Sequence, residues 1–560
     1  MNSFKYTVWQ QWLFHAKEHP THEAIVHCEA GEVPVRWYWG ELIVAAQRVA
    51  GQLKAAGVKP GEVCALIIRH NRLFYPIYMG VCAMGGIPAV LAYPNNRLHP
   101  DKFRDGIEGM SQKSGLGWIL TERELEPTIQ PLLNRASSMI HGFLFPLEWD
   151  AAAPAMPCEP FAQDPRAICL LQHSSGTTGL QKAVALSHRA VLDQIRLYSE
   201  AIALRDGDKI VSWLPLYHDM GLIAAFHLAL SMRIPLVQLD PFEWISAPVL
   251  LLEAIAHERG TLTWLPNFAY NHMVNRVDDR EMENLRLDSV RMFINCSEMV
   301  RPESHERFLE RFNRFGVRGE SLAACYAMAE TTFAVTQTAP NQGTKVLWVD
   351  RDELARGQVK ILEMADNARK CASSGRPISG AEVQVIGNDG SFLPGDMVGE
   401  IAIRSVSLFD GYRNDPAKTA AVLRDGWYYS GDFGFVHEGE YFIVGRKKDL
   451  IIVAGKNIYP EDVEDIVSRV QGISPGRVVA FGIEDGTIGT EQVGVVAESI
   501  SGEAIDETRL RLAIKQAVMQ IDVTVTRVYL APPRWLIKSS AGKPSRKSNR
   551  ERALTELSWE

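Results

Sequence analysis

The chain has 560 residues, 46% of them apolar and 22% charged, with a formal net charge of −8 at pH 7. Ordinary usage of this kind excludes a disordered, collagen-like or coiled-coil chain. At about 100–200 residues per domain, three or four units, or fewer large ones, are expected. The acidic balance excludes a surface that is basic throughout. The one strongly basic stretch holds Lys538, Lys543, Arg546, Lys547, Arg550 and Arg552, and by charge alone it reads as a solvated tail.

In chain order, Trp9, Leu13 and Ala16 recur at helical spacing, and no apolar signal core precedes them. Residues 42–56 read as a helix with Val44, Val49, Leu53 and Ala56 toward one face, stopped by GVKPG at 57–61. VCALII at 63–68 is a run of buried-strand type. A second helix runs to Met84, and GGIPAV at 85–90 opens another strand. Strands alternating with helices of this length predict an α/β fold, with parallel sheets covered on both faces.

AAAPAMPCEP at 151–160 reads as an excursion loop between sub-lobes. After about residue 380 short strands at 383–386, 399–403 and 441–444 are separated by Gly and Asp turns. Smaller alternation resumes from Asp462. A boundary at 446–449 divides the chain into 1–445, with its sub-lobes, and 446–560. The eight cysteines form no C-x-x-C pair and read as small core hydrophobes. No stretch reaches 18 uninterrupted apolar residues, so no membrane span is expected. A reducing, cytoplasmic location is the expectation.

The segment 170–182, LLQHSSGTTGLQK, runs from an apolar strand into Ser174, Ser175, Gly176, Thr177, Thr178 and Gly179, then Lys182 and the strand-like AVAL. Glycines let backbone N–H groups approach an anion, hydroxyls add donors, and the lysine adds a point charge. This is phosphate-cradle chemistry, although a plain Ser/Thr/Gly surface turn has the same composition. It is neither a G-x-x-x-x-G-K loop nor a G-x-S-x-G elbow. A serine hydrolase centred on Ser174 or Ser175 therefore lacks both its elbow and recognisable His/Asp partners.

The loop resembles the phosphate loop of the acyl-adenylate-forming superfamily, which includes acyl-CoA ligases, luciferases and peptide-synthetase adenylation domains. Further motifs of that family recur in its order. They are YAMAETT at 326–332, GWYYSGD at 426–432, GRKKD at 445–449 and SSAGK at 539–543. The resemblance implies a large N-terminal domain of parallel and mixed sheets and a small mobile α+β C-terminal domain, 446–560, carrying a catalytic lysine.

It also implies roles for individual residues. Ser174, Ser175, Gly176, Thr177, Thr178, Gly179 and Lys182 cradle the phosphates of ATP. Glu330 and Thr178 serve Mg²⁺, a hard cation suited to oxygen ligands. Tyr326 stacks on adenine, Thr331 joins the ATP-binding residues after Glu330, Asp432 accepts from a ribose diol, and Arg446 lies near ribose or phosphate. Lys543 steadies charge as a carboxylate attacks the α-phosphate. Read from the residues alone, Glu330 fits a solvated helix carboxylate, Asp432 a turn aspartate and Tyr326 a core aromatic. With Lys543 in a Ser/Gly loop and no aromatic platforms among the charges, a nucleic-acid partner is not expected.

WLPLYHDMGL at 213–222 and PNFAY at 266–270 resemble the fatty acyl-AMP ligase branch. They nominate His218 as a catalytic candidate in an apolar, aromatic setting that suits an acyl chain. The 44 residues from Glu330 to Ser374 exceed what ordinary CoA ligases need. The excess, placed around 344–370, matches the insertion that marks that branch. There it restrains domain motion, and the acyl group passes to a carrier-protein pantetheine instead of CoA. A surface loop can also grow at little thermodynamic cost.

Three features depart from the pattern: Ala183 after the loop lysine, Leu536-Ile537 before the Lys543 loop, and AGKNIYP at 454–460, which looks as much like a CoA ligase. The expected partners are thus a fatty or related carboxylic acid and an acyl carrier protein acting in trans, or CoA. A catalytically silent nucleotide-binding relative would have no need to retain Glu330, Asp432 and Lys543 together.

Overall fold

The computed structural model describes residues 7–94, 99–150, 164–174, 181–364, 367–453, 456–485, 490–500, 506–538 and 544–558. They pack as two compact units, one of 1–344, 375–382 and 404–428, the other of 345–374, 383–403 and 429–560. The loop expected at 151–160 lies outside the described residues.

The first unit is mixed α/β, as expected from the alternation. Its helix Trp39–Ala55 buries Leu42, Ala46, Val49 and Leu53, which recur at the i, i+4, i+7, i+11 spacing of one helical face. Val44 is 36% exposed and Ala56 is also exposed, so both leave the stripe expected of them. Val63–Ile67 is buried at every position and pairs in parallel with Ile87–Val90 and Leu116–Thr121. Gly142–Leu144 adds a fourth parallel strand. Uninterrupted burial is the mark of a strand covered on both faces.

A nine-stranded sheet runs in the order Arg376–Pro377, Ala334–Gln337, Leu322–Ala327, Met292–Asn295, Leu262–Leu265, Ile210–Ser212, Leu236–Gln238, Glu23–His27, Val35–Tyr38. Its middle is parallel and both ends are antiparallel. Parallel strands direct their C-terminal ends, and the loops that follow, to one edge of a sheet. Leu322–Ala327 leads there into the turn holding Glu330, and Ile210–Ser212 into the segment holding His218.

The second unit combines small sheets. Ile473–Asp485, Thr490–Ser499 and Val525–Ala531 form a three-stranded sheet. It packs on the helices Pro460–Val467 and Glu507–Met519 around Val467, Val478, Ile514 and Val528. Residues 345–372 form their own three-stranded sheet, Ile361–Leu362, Val346–Asp350, Ala368–Ala372. Its Leu347, Val349, Leu354 and Cys371 share one apolar cluster with Phe435, Phe442, Val444 and Tyr459. The described part of the stretch expected as an insertion is thus packed into the second unit, through a cluster it shares with Phe435, Phe442, Val444 and Tyr459. Among the described residues, no helix is long and apolar enough to cross a membrane.

Candidate active site

Ile168–Ser174 and Lys182–Ser187 form an antiparallel hairpin whose register sets Ser174 opposite Lys182. An antiparallel ladder fixes such partners about 5 Å apart, so both ends of the loop are pinned. Ser175, Gly176, Thr177, Thr178 and Gly179, with the side chain of Ser174, lie outside the described residues. His173 is buried with its Nε2 2.9 Å from Ser114 Oγ, and burial pulls its imidazole down to about 4.

Segment 409–413 runs antiparallel beside Lys182–Ser187. Ala185 donates its N–H to Gly411 (3.0 Å), Asp410 to Ala185 (2.9 Å), and Arg413 to Ala183 (2.9 Å). Gly411 sits at φ +114°, where a side chain is strained, and an added Cβ would meet Thr419 at 3.1 Å. This run delivers Tyr412 between the two charged site residues expected from sequence. Its hydroxyl donates to Glu330 Oε1 at 2.7 Å, and Lys182 Nζ donates to that hydroxyl at 3.2 Å while lying 4.8 Å from the ring centroid. Burial, reinforced by Glu330, pushes the Tyr412 phenol well up, so it stays a donor.

Glu330 follows the strand Leu322–Ala327 in a 3-10 turn, Ala329–Thr331. Its carboxylate is buried, and its carbonyl accepts the Phe409 N–H at 2.9 Å. Thr331 is fully buried, with its hydroxyl 3.0 Å from the Met328 carbonyl and 2.8 Å from that of Phe333. Thr332 stands at φ +66°, a costly conformation for a β-branched residue that persists only when its surroundings over-determine it. Here they do. Thr332 Oγ1 donates to the Ser407 carbonyl at 2.7 Å, Ser407 Oγ donates to Gln194 Oε1 at 2.8 Å, and Gln194 Nε2 donates to the Ala334 carbonyl at 3.3 Å. Tyr326 is buried in its strand, opposite Thr336.

His218 lies apart from the Lys182–Tyr412–Glu330 chain in sequence but is tied to the same hairpin. Gln172 Nε2 donates to the carbonyl of neighbouring Tyr217 at 2.9 Å. His218 Nδ1 is 2.7 Å from Asp219 Oδ1, and its carbonyl accepts from Leu222 at 2.8 Å, opening the buried π-helix Met220–His227. Such helices are rare and frequent at functional sites. Trp213 and Trp244 stack nearby, 3.6 Å between centroids, with Phe268 edge-on to both.

In the second unit, the hairpin Trp427–His437, Glu440–Arg446 sets Asp432 opposite Arg446, and Arg446 Nε lies 3.3 Å from Asp432 Oδ1. Gly431, at φ +73°, donates to Glu400 Oε1 at 3.2 Å. Ser430 Oγ accepts the Asp432 N–H at 3.0 Å. The turn thus holds Asp432 from both sides.

Lys543 lies outside the described residues, but the base of its loop does not. Lys538 and Pro544 bridge, Ser545 donates to the Ile537 carbonyl at 3.0 Å, and the Asn549 amide donates to the carbonyls of Ile537 and Ser545 at 2.8 Å each. Arg546, on the helix Arg546–Glu556, reaches Asp449 at 2.7 Å, Glu461 at 2.8 Å and Glu464 at 2.9 Å.

Among the described residues, no group of three or more His, Cys, Asp or Glu side chains is arranged to hold a metal. A single carboxylate such as Glu330 suits Mg²⁺, which keeps several waters and binds through one or two carboxylates plus substrate phosphates. Sequence reasoning missed Tyr412. Its only signal is an aromatic after Asp410-Gly411, which any turn could carry.

Residues 13–413 match the AMP-binding enzyme family. The chain belongs to this family. A relative from Mycobacterium marinum, a 4-hydroxyphenylalkanoate adenylyltransferase, is 30% identical over 543 residues, covering 92% of this chain and 85% of that one. A fatty acyl-adenylate ligase of L. pneumophila, solved in complex with acyl adenylate and pyrophosphate, is 26% identical with a TM-score of 0.76, covering 98% and 96% of the two chains. One of the solved fatty acyl-adenylate ligases of E. coli and L. pneumophila has a TM-score of 0.89 at 24% identity, covering 99% and 98%. The expected fold class is therefore that of the AMP-binding enzymes. The Lys182–Tyr412–Glu330 chain falls within the matched span, and Asp432, Arg446 and Lys543 lie beyond it.

Proposed function

We propose that the protein uses MgATP to convert a fatty or related carboxylic acid to acyl-AMP and pyrophosphate, then passes the acyl group to the phosphopantetheine thiol of a carrier protein. The observation that carries the first step is the Lys182–Tyr412–Glu330 chain at the mouth of the Ser/Thr/Gly loop, in an AMP-binding enzyme. One carboxylate oxygen attacks the α-phosphorus, the bond from that phosphorus to the bridging oxygen breaks, and pyrophosphate leaves with the electron pair.

Such a transfer needs alignment and fixed charge more than covalent help. Lys182 and the loop hold phosphate oxygens, Glu330 would hold Mg²⁺, and Tyr412 keeps the lysine and the carboxylate in one arrangement. Bound there, the ion neutralises phosphate charge. Tyr326 would meet adenine, Asp432 the ribose diol, and Arg446 the ribose or phosphate. Lys543 would steady the reacting oxygens, and His218 would border the acyl chain.

For the second step, the reading of 446–560 as a mobile domain and of 344–370 as an insertion favours a carrier thiol over CoA. The insertion's Arg369 reaches Asp462 at 3.1 Å and the Val444 carbonyl at 3.1 Å, and Lys456 joins Asp352 and Asp522 at 3.0 Å each. These links tether the insertion to residues on both sides of GRKKD at 445–449. The AGKNIYP segment favours CoA as a second reading. Incubation with ATP, a panel of fatty acids, and either CoA or a phosphopantetheinylated carrier separates the two. Efficient acyl-CoA production rejects the carrier reading, and no acid-dependent pyrophosphate release rejects adenylation itself.

A further inference from the structure

The π-helix Met220–His227 is apolar or glycine at every position but its last, His227. That imidazole is buried, and burial lowers it to about 3, so it is neutral. The Tyr78 hydroxyl, fully buried on the helix Phe74–Ala83, lies 2.7 Å from its Nε2. Its Nδ1 is buried with no hydrogen-bond partner among the described residues. An apolar residue at 227 would avoid the cost of that unmatched nitrogen. What the imidazole adds is a directional bond between elements 149 residues apart.

Both ends of the π-helix are held. At the far end, the helix Val8–Glu18 sets the Trp12 ring 5.3 Å from that of His227. The same helix grips Ser231, one turn on: Trp12 Nε1 donates to its Oγ at 3.2 Å, and His15 Nε2 lies 2.9 Å from its carbonyl. At the near end, the His218 carbonyl accepts the Leu222 N–H at 2.8 Å, and the Asp219 carboxylate accepts the Met220 N–H at 2.8 Å. Gly221 is pressed on the preceding segment, where an added Cβ would meet the Pro215 carbonyl oxygen at 2.4 Å. Ser297 Oγ donates to the Met220 sulfur at 3.6 Å. A π-helix is rare. Relaxing it to α-helical pitch would rotate one end against the other and turn His218 and Met220.

We infer that Tyr78 and His227 are positioning residues for the reaction. Their hydrogen bond fixes the rotation of the π-helix, and the helix in turn sets His218 and Met220 toward the acid. The inference rests on the adenylation reading above, in which His218 borders the acyl chain. The pair acts from the end of the helix opposite His218, so the acid, not ATP, registers its loss.

The test compares the full-length protein with Tyr78→Phe, His227→Leu, the two combined, and His227→Gln, whose amide can still meet the hydroxyl. Thr121→Val serves as a control. It removes another buried hydroxyl bond, to the Ile67 carbonyl at 2.6 Å, in a different sheet of the same unit. Each single loss is expected to lower kcat/KM for the acid about three- to tenfold and to change the preference between a short and a long acid. KM for ATP stays within about twofold. His227→Gln retains most of the activity, and the double variant is no worse than the worse single one, because both substitutions remove one bond.

Unchanged kcat/KM for the acid in both single variants, with only a lower melting temperature, overturns the inference. So does an equal fall in Thr121→Val, or a double variant whose losses add. If the unaltered protein makes no acyl-AMP, the functional reading fails separately. Hydrogen–deuterium exchange over 218–228 then decides whether the bond holds the helix. Faster exchange in Tyr78→Phe than in Thr121→Val supports it, and equal rates overturn it.

Discussion

The Tyr412 hydroxyl donates to Glu330 Oε1 across 82 residues of chain, at 2.7 Å, and accepts from Lys182 Nζ at 3.2 Å. One neutral phenol thus spaces a cation from an anion that would otherwise pair and neutralise each other. Held apart, the lysine can serve phosphate and the carboxylate a cation.

Tyr412→Phe keeps the ring and removes the spacer. A hydrogen bond to a charged group contributes about 1.5–3 kcal/mol, so the adenylation rate should fall roughly 10- to 100-fold. The melting temperature should change little, because the ring still packs on Phe409. Pyrophosphate-release kinetics measure the first and a thermal melt the second. Unchanged kcat would show that Tyr412 spaces nothing of consequence.

Lys543→Ala should abolish acyl-AMP formation, by about 10²–10³-fold as for other lost transition-state donors, without altering circular dichroism. An unchanged rate of radiolabelled acyl-AMP formation would sink the role given to this lysine.

Arg546 is in direct contact with three carboxylates, Asp449, Glu461 and Glu464. Burial pushes the Glu464 carboxyl up, against the pull of Arg546, so removing the arginine strands like charges. Arg546→Ala should cost about 3–5 kcal/mol, and Arg546→Met with Glu464→Leu should recover part of it. Denaturant melts of the two variants check this. Equal losses in both would mean that packing, not charge, is what Arg546 supplies.

Acid should weaken the first unit. Burial lowers the imidazoles of His173, His188 and His305 to about 4 and of His227 to about 3. Unfolded, each titrates near 6.5. Between roughly pH 6.5 and 4 the unfolded chain therefore binds more protons, and stability falls as pH falls, by up to about 1.4 kcal/mol per pH unit for each group. It is fully present above 6.5. Urea midpoints at pH 7 and pH 5 measure the effect; equal midpoints would mean that these histidines are protonated in the folded chain.

The helix at 39–55, the strand runs such as Val63–Ile67 and the two strands flanking the Ser/Thr/Gly loop were legible because each is written in residues adjacent in sequence. Helical spacing, uninterrupted apolar runs and turn residues report local burial directly. Val44 shows the limit of that reading. Its spacing fitted a stripe, but the buried stripe is centred on Leu42 and Ala46, and only the neighbours packed against the helix choose between two overlapping faces.

What the amino-acid order determined by itself was chemistry in series: a hydroxyl- and glycine-rich loop ending in lysine, a glutamate after an aromatic strand, an aspartate in a glycine turn and a lysine in a Ser/Gly loop. These are short segments whose composition limits what they can bind. Tertiary structure alone decided which of them meet. It supplied Tyr412 to Glu330 and Lys182, and sealed the described part of 345–372 into the second unit's core. Each of those outcomes is a contact between residues far apart in the chain. Its free energy comes from the packing of whole elements, which no local pattern encodes.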